Sequence, residues 1–229
     1  MFDFARGCDG APIEGFLGDR QEAKALFFLR EPDNPDQPAQ GFWLRKVLDD
    51  EAFRRGLGPK YADTFSALAR YLLGSPDAIL SCAYINLYAA SGESAASELF
   101  YLTYSAYRGE RIDAPAELKA AAEERAAAVK SLIRDFILYA GTRHIVTVNT
   151  IYDLLRSTPP AKVIRPESAY TDSEKLTLSY RRNGTRTKTF RICQCEMYGC
   201  PVTLHEFWHP SYTTYRLEAL REAIPDCFD

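Results

Sequence analysis

No apolar stretch of the sequence approaches the roughly 20 residues that cross a bilayer as a helix, so no membrane association is expected. The first ten residues, MFDFARGCDG, lack the basic segment and apolar run of a secretion signal, and a cytoplasmic location is expected. An excess of positive charge is lacking too, with 28 Lys and Arg against 31 Asp and Glu. The formal net charge of −3 excludes the overall basic field of a strong non-specific DNA binder, so any nucleic-acid contact must rest on a local patch. Six cysteines (Cys8, Cys82, Cys193, Cys195, Cys200, Cys227) are too few and too scattered for a disulfide framework in 229 residues. Cys193, Cys195 and Cys200 resemble part of a metal set. However, C-x₂-C pairs are missing and C-x-C on a strand points both side chains to one face. The reading is therefore a protein without metal or cofactor.

What is present is ordinary for a globular chain: 46% hydrophobic and 26% charged residues. The length suits a single α/β domain over residues 1–229. Ala25 to Leu29 is a short apolar run ending in a loop with Pro32, Pro35 and Pro38, which reads as a buried strand. "TFSALARYLLG" is helical in spacing with Gly74 as its stop, and "DAILSCAYINLY" is a second strand candidate. Helical spacing also runs from Ala95 to Tyr107 and from Glu117 to Tyr139. In the second of these, Leu118, Ala122, Val129, Leu132, Ile133, Phe136 and Ile137 share one face. "HIVTVN" is a third strand, and "TIYDLLR" a short helix with Thr150 as its cap. Strands alternating with helices predict a mostly parallel sheet covered on both faces, an α/β/α sandwich.

After Pro159-Pro160 the pattern changes. "KLTLSYRRNGTRTKTFRI" predicts a β-hairpin, an excursion over about 175–193, turning at Asn183-Gly184. A two-residue turn there pairs Arg181 with Arg186 and Ser179 with Lys188, which places three cations on one face and Leu176, Leu178 and Tyr180 on the other. That basic face would either grip phosphates or simply blunt an edge. "CPVTLHEFW" predicts a further strand and "TTYRLEALREAI" a closing helix.

His205-Glu206-Phe207-Trp208-His209 fits H-E-x-x-H, the helical zinc motif of metalloproteases. The surroundings argue against it. "VTLHEFW" is rich in strand formers, and Pro210 biases His209 away from helical geometry. On a strand the two histidines stand roughly 13 Å apart, too far for one metal ion.

"W-H-P-S-Y", residues 208–212 between strand and helix, resembles the His-Pro-Ser loop of the uracil-DNA glycosylase superfamily. Three further landmarks follow that family's order. Leu29-Arg30-Glu31-Pro32-Asp33 resembles its first motif, a short acidic or Asn-containing turn before Pro, with Glu31 at the water-activating position. Phe42 stands where relatives stack an aromatic on the base, and Asn86 in "CAYINLY" where they read it. "HIVTVNTIYDLL" is similar to a later strand and helix, without the relatives' Gly. The chain departs from the family's pattern at several positions. Glu31 replaces Asp or Asn, Leu29 replaces Gly, Asp33 stands in for a Tyr, and Thr213 for a wedging Leu.

The resemblance implies a monomeric DNA glycosylase, hydrolysing the N-glycosidic bond of uracil or another damaged base. The alternative is a catalytically inactive member of the same fold that binds nucleotides or nucleic acid. Glu31 and His209 would be catalytic, with Pro32, Phe42 and Asn86 binding the substrate base. Pro210, Ser211, Tyr212, Arg181, Arg186 and Lys188 would contact DNA, in single or double strands. The chemistry suits these residue types. A carboxylate stabilises an oxocarbenium-like sugar and orients water, a His donor stabilises the departing base, and an Asn amide offers both a donor and an acceptor. Taken singly, each has a plainer role: Glu31 as a solvated turn carboxylate, Asn86 as a partner for turn backbone, Phe42 as core. Their joint order ties them to one site.

Overall fold

Ala25–Leu29 forms strand β2, five consecutive buried residues at the middle of a sheet. A strand buried on both faces reads as a continuous apolar run, as this one does. The computed structural model describes residues 2–6, 14–18, 20–30, 60–75, 77–88, 93–169, 177–181, 185–189 and 191–207. Over these, the strands are β1 (Gly15–Phe16), β2, β3 (Cys82–Asn86), β4 (His144–Val148), β5 (Lys162–Ala169), β6 (Thr177–Arg181), β7 (Thr185–Thr189), β8 (Arg191–Met197) and β9 (Cys200–Phe207). The helices are α1 (Lys60–Leu73), α2 (Glu93–Arg108), α3 (Ala116–Tyr139) and α4 (Asn149–Ser157).

Seven strands form one sheet in the order β1-β3-β2-β4-β9-β8-β5, and β6-β7 form a separate pair. The central strands β3, β2, β4 and β9 run parallel, while β1, β8 and β5 join antiparallel. The fold is thus mixed α/β, as the alternating pattern predicts. Strand alternation separates two faces. Phe65 of α1 meets Phe27 at 4.7 Å between ring centroids and Tyr84 at 6.0 Å, on one face. Phe136 of α3 meets Phe16 at 5.4 Å, and Phe16 is the register partner of Ala83, which alternates to the other face. Val129, Leu132, Ile133, Phe136 and Ile137 of α3 are all buried, along the stripe read from the sequence. No helix among the described residues is long and apolar enough to cross a membrane.

Several local expectations need correction. Residues 78–81 of the second strand candidate form a 3₁₀ turn, and the strand begins at Cys82. Thr150 does not cap α4: the helix starts at Asn149 and Val148 occupies the cap position without a side-chain bond. Strand β4 runs straight into the helix, which leaves no loop residue to act as a cap. The hairpin forms, but one register step away from expectation. Arg181 pairs with Thr185, Tyr180 with Arg186 and Leu178 with Lys188. Three residues rather than two separate the paired ends, and one step of slip moves each residue of one strand opposite different partners. Arg186 and Lys188 therefore share a face with Tyr180 and Leu178, and Arg181 lies on the opposite one. The closing helix predicted over "TTYRLEALREAI" lies outside the described residues.

Three strands escaped the sequence reading: the two-residue β1, β5 and β8. β5 carries Pro166 and register shifts against β8, features that mark an edge strand and blur its pattern. The β8–β9 connection is a two-residue turn with Tyr198 at φ 54° and Gly199 at φ 76°. Such a turn needs positive φ twice, and Tyr at its first position gives no signal of it. At Gly18 the constraint is space rather than torsion: an added Cβ would lie 2.0 Å from the Leu80 carbonyl oxygen. Gly18→Ala should therefore destabilise the protein by roughly 1–3 kcal/mol, as overpacking typically does. Urea unfolding of the two proteins checks this; coincident midpoints would contradict it.

Candidate functional site

In an open parallel sheet, ligands bind beyond the carboxyl ends of the strands, at the point where strand order reverses. Here β2 is followed in sequence by β3 on one side, and β4 then returns to β2's other side. The reversal lies between the ends of β2 and β4. The strand ends on that edge are Leu29, Asn86, Val148 and Phe207. Leu87 N–H bonds the Leu29 carbonyl at 2.8 Å and Tyr88 N–H the Arg30 carbonyl at 2.9 Å, which holds the first two ends in step. The Arg30 guanidinium lies over the Phe100 ring at 4.1 Å from its centroid. α4 opens at this same edge with no side-chain cap, so its first backbone N–H groups favour negative charge there.

Of the residues singled out from the sequence, Asn86 lies within this edge. It is the last residue of β3 and fully buried. The Tyr84 hydroxyl donates to its Oδ1 at 3.0 Å, and its Nδ2 has no hydrogen-bond partner among the described residues. A buried, unpaired amide donor costs roughly 1–3 kcal/mol, and in a native protein it calls for a reason such as a ligand. Glu31, Pro32, Phe42, His209, Pro210, Ser211 and Tyr212 lie outside the described residues. The chain enters the first of these segments directly from the end of β2, and the last directly beyond the end of β9. Arg181, Arg186 and Lys188 lie on the separate β6-β7 pair, split between its faces as described.

The H-E-x-x-H reading is set aside by the strand. His205, Glu206 and Phe207 belong to β9, not to a helix. His205 Nε2 instead meets His144 Nδ1 at 3.1 Å, across β4 and β9. Burial, together with the neighbouring His144, pushes the His205 imidazole down to about 3, and burial lowers His144 as well. Both rings are neutral near pH 7, one donating to the other. Glu206 is buried and accepts from Arg191 Nε. Arg191 also reaches Asp153 Oδ1 of α4 at 3.0 Å and lies 4.6 Å over Tyr152. These groups tie β8, β9 and α4 together. Cys193 and Cys195 point to one face of β8 with sulfurs 3.5 Å apart, both buried. Burial pushes the Cys195 thiol up to about 12, which keeps it protonated. Among the described residues, no group of three or more His, Cys, Asp or Glu side chains is placed to hold a metal ion.

Sequence reasoning missed Glu14 and Arg125. The Glu14 side chain is fully buried and pairs with Arg125, 13% exposed, beside Asn86. The only local sign is one acid inside the apolar run "APIEGFLG", and nothing nearby in sequence points to its partner. The comparisons with known proteins are negative: no family model, no curated protein and no solved structure matches the chain.

Proposed function

We propose that the chain is a DNA glycosylase-like hydrolase that removes uracil or another damaged base from DNA, on a three-layer α/β/α sandwich. The observation that carries this reading is Asn86, a buried amide whose donor has no partner among the described residues, at the carboxyl end of a strand beside the sheet's reversal point. An amide in such a place suits the edge of a flipped base, which presents an acceptor and a donor side by side. The resemblance supplies the partners. Glu31 stabilises the sugar cation and orients water, Phe42 stacks on the base, Pro32 shapes the first turn, and His209 donates to the departing base. Pro210, Ser211 and Tyr212 face the DNA backbone. The uncapped start of α4 at this edge favours a nearby phosphate.

Oligonucleotides carrying uracil, hypoxanthine, xanthine or hydroxymethyluracil, read by cleavage at the resulting abasic site, test the proposal. Release of at least one base is expected, with loss of release in Asn86→Ala. Binding without release would favour the inactive binding module, a reading that the net charge of −3 also suits. Neither binding nor release would end both.

The hairpin register refines the DNA contacts. With Arg186 and Lys188 on one face and Arg181 on the other, one DNA strand cannot engage all three equally. Arg186→Ala/Lys188→Ala and Arg181→Ala should therefore differ in the salt dependence of binding. Each lost phosphate contact lowers the slope by about 0.7–0.9. Equal slopes in both variants and the parent would remove the hairpin from the interface.

A further inference from the structure

Three groups of Asn86 are held: its backbone N–H and carbonyl by residues distant in sequence, and its side-chain oxygen by a neighbour on the same strand. Its backbone N–H donates to Glu14 Oε1 at 2.7 Å. Its carbonyl accepts from Arg125 Nη2 at 2.6 Å, and Arg125 Nε reaches the next carbonyl, that of Leu87, at 3.2 Å. Glu14 and Arg125 pair directly with each other, and Glu14 Oε2 accepts from Ala5 N–H at 3.2 Å. Tyr84 fixes the side-chain oxygen. The ladder explains why a side chain is needed. β1 is only two residues long and its register ends at Gly15 opposite Tyr84, so among the described residues the Asn86 N–H on that side has no strand carbonyl to meet. Glu14, the residue before β1, supplies the acceptor instead.

A buried ion pair is a poor source of stability, since desolvation of both charges offsets much of their attraction. What it supplies is geometry. The Arg fork binds the carbonyls of Asn86 and Leu87 and the carboxylate binds the Asn86 N–H that precedes them, so the peptide planes on both sides of the Asn86 Cα are fixed. With Oδ1 held by Tyr84, the amide can turn in one sense only, and Nδ2 is left as the donor without a partner among the described residues. We infer that Glu14 and Arg125 are positioning residues for the Asn86 amide, a built-in clamp that sets the angle at which Nδ2 meets its ligand. This rests on the proposal that Asn86 reads the base.

The test uses the full chain and two conservative variants. Arg125→Lys keeps the charge opposite Glu14 but, with a single ammonium, cannot fork across two carbonyls. Glu14→Gln keeps an acceptor for the Asn86 N–H and removes the charge. Two readouts are combined. The first is the side-chain ¹⁵N–¹H₂ signal of Asn86 by NMR, which needs no activity. Both folded variants should shift or broaden it, and unmoved signals in both would overturn the clamp. The second is single-turnover release of uracil from a single-stranded oligonucleotide. Misplacement of about 1 Å can lower such rates roughly 100-fold. Arg125→Lys should therefore slow bond breaking by about 10- to 100-fold, with oligonucleotide affinity little changed and no further loss in an Asn86→Ala background. A full, multiplicative loss in that background would also overturn the clamp, because the pair would then act independently of Asn86. If the parent protein releases no base, the glycosylase reading fails while the NMR signal still judges the clamp. Should Arg125→Lys not fold, Glu14→Gln carries both measurements.

Discussion

Glu31→Gln is expected to lower the single-turnover rate of base release by roughly 100- to 10,000-fold, the range typical of a positioned acid or base. As the bond from sugar to base breaks, positive charge develops on the sugar ring and negative charge on the leaving base. A carboxylate beside the sugar stabilises that cation and orients the attacking water, as in glycoside hydrolysis generally. Gln keeps the size and much of the hydrogen-bonding reach of Glu and removes only the charge. The loss should therefore appear in bond breaking, with DNA affinity equal or slightly tighter because repulsion of phosphate is relieved. Glu31→Asp is the companion variant. A shorter carboxylate still carries the charge, so retained activity fits a group acting on the sugar. Equal rates for the parent and Glu31→Gln would remove Glu31 from the mechanism and leave polarisation of the base by His209 as the main chemistry.

The second large effect concerns stability against pH. The fully buried His205 has its imidazole lowered from 6.5 to about 3 by burial and by His144. The folded protein resists protonation there, whereas the unfolded chain accepts a proton below about 6.5. Stability from this group is thus complete above pH 6.5 and is lost as the pH falls toward 3. Over that whole range the loss is on the order of 5 kcal/mol, and by pH 5 it is already about 2 kcal/mol. His144, lowered in the same direction, adds to it with the same sign. Denaturant unfolding from pH 7.5 to 5 should show a steep loss in the parent and a shallower one in His205→Gln, which has no titrating ring at that position. Parallel stability curves for the two proteins would mean that the His pair is not buried and neutral as described.

The central strands and the four helices were legible because their signals are local. Ala25–Leu29 and His144–Val148 are short apolar runs, and the buried stripe of α3 repeats with the period of a helix. The hairpin was equally visible, but its register was not. Asn183-Gly184 marks where a chain turns, while the number of unpaired residues depends on how both strands settle. That one-step difference separated Arg181 from Arg186 and Lys188. The strand identity of His205 was also readable, since Pro210 and the β-forming run argue against a helix from the sequence alone. Its partner His144, 61 positions away, was not, because only the parallel pairing of β4 with β9 brings the two rings together. Asn86 shows the same division. Its place at a strand end follows from the apolar run before it. The charges holding it come from Glu14 and Arg125, which lie 111 positions apart and meet because β1 is too short to satisfy β3's last amide. The residues of the chain thus determine where strands and helices form, through patterns spanning a few neighbours. Which buried polar groups face one another is decided by sheet order and register, and these arise only when the whole chain packs.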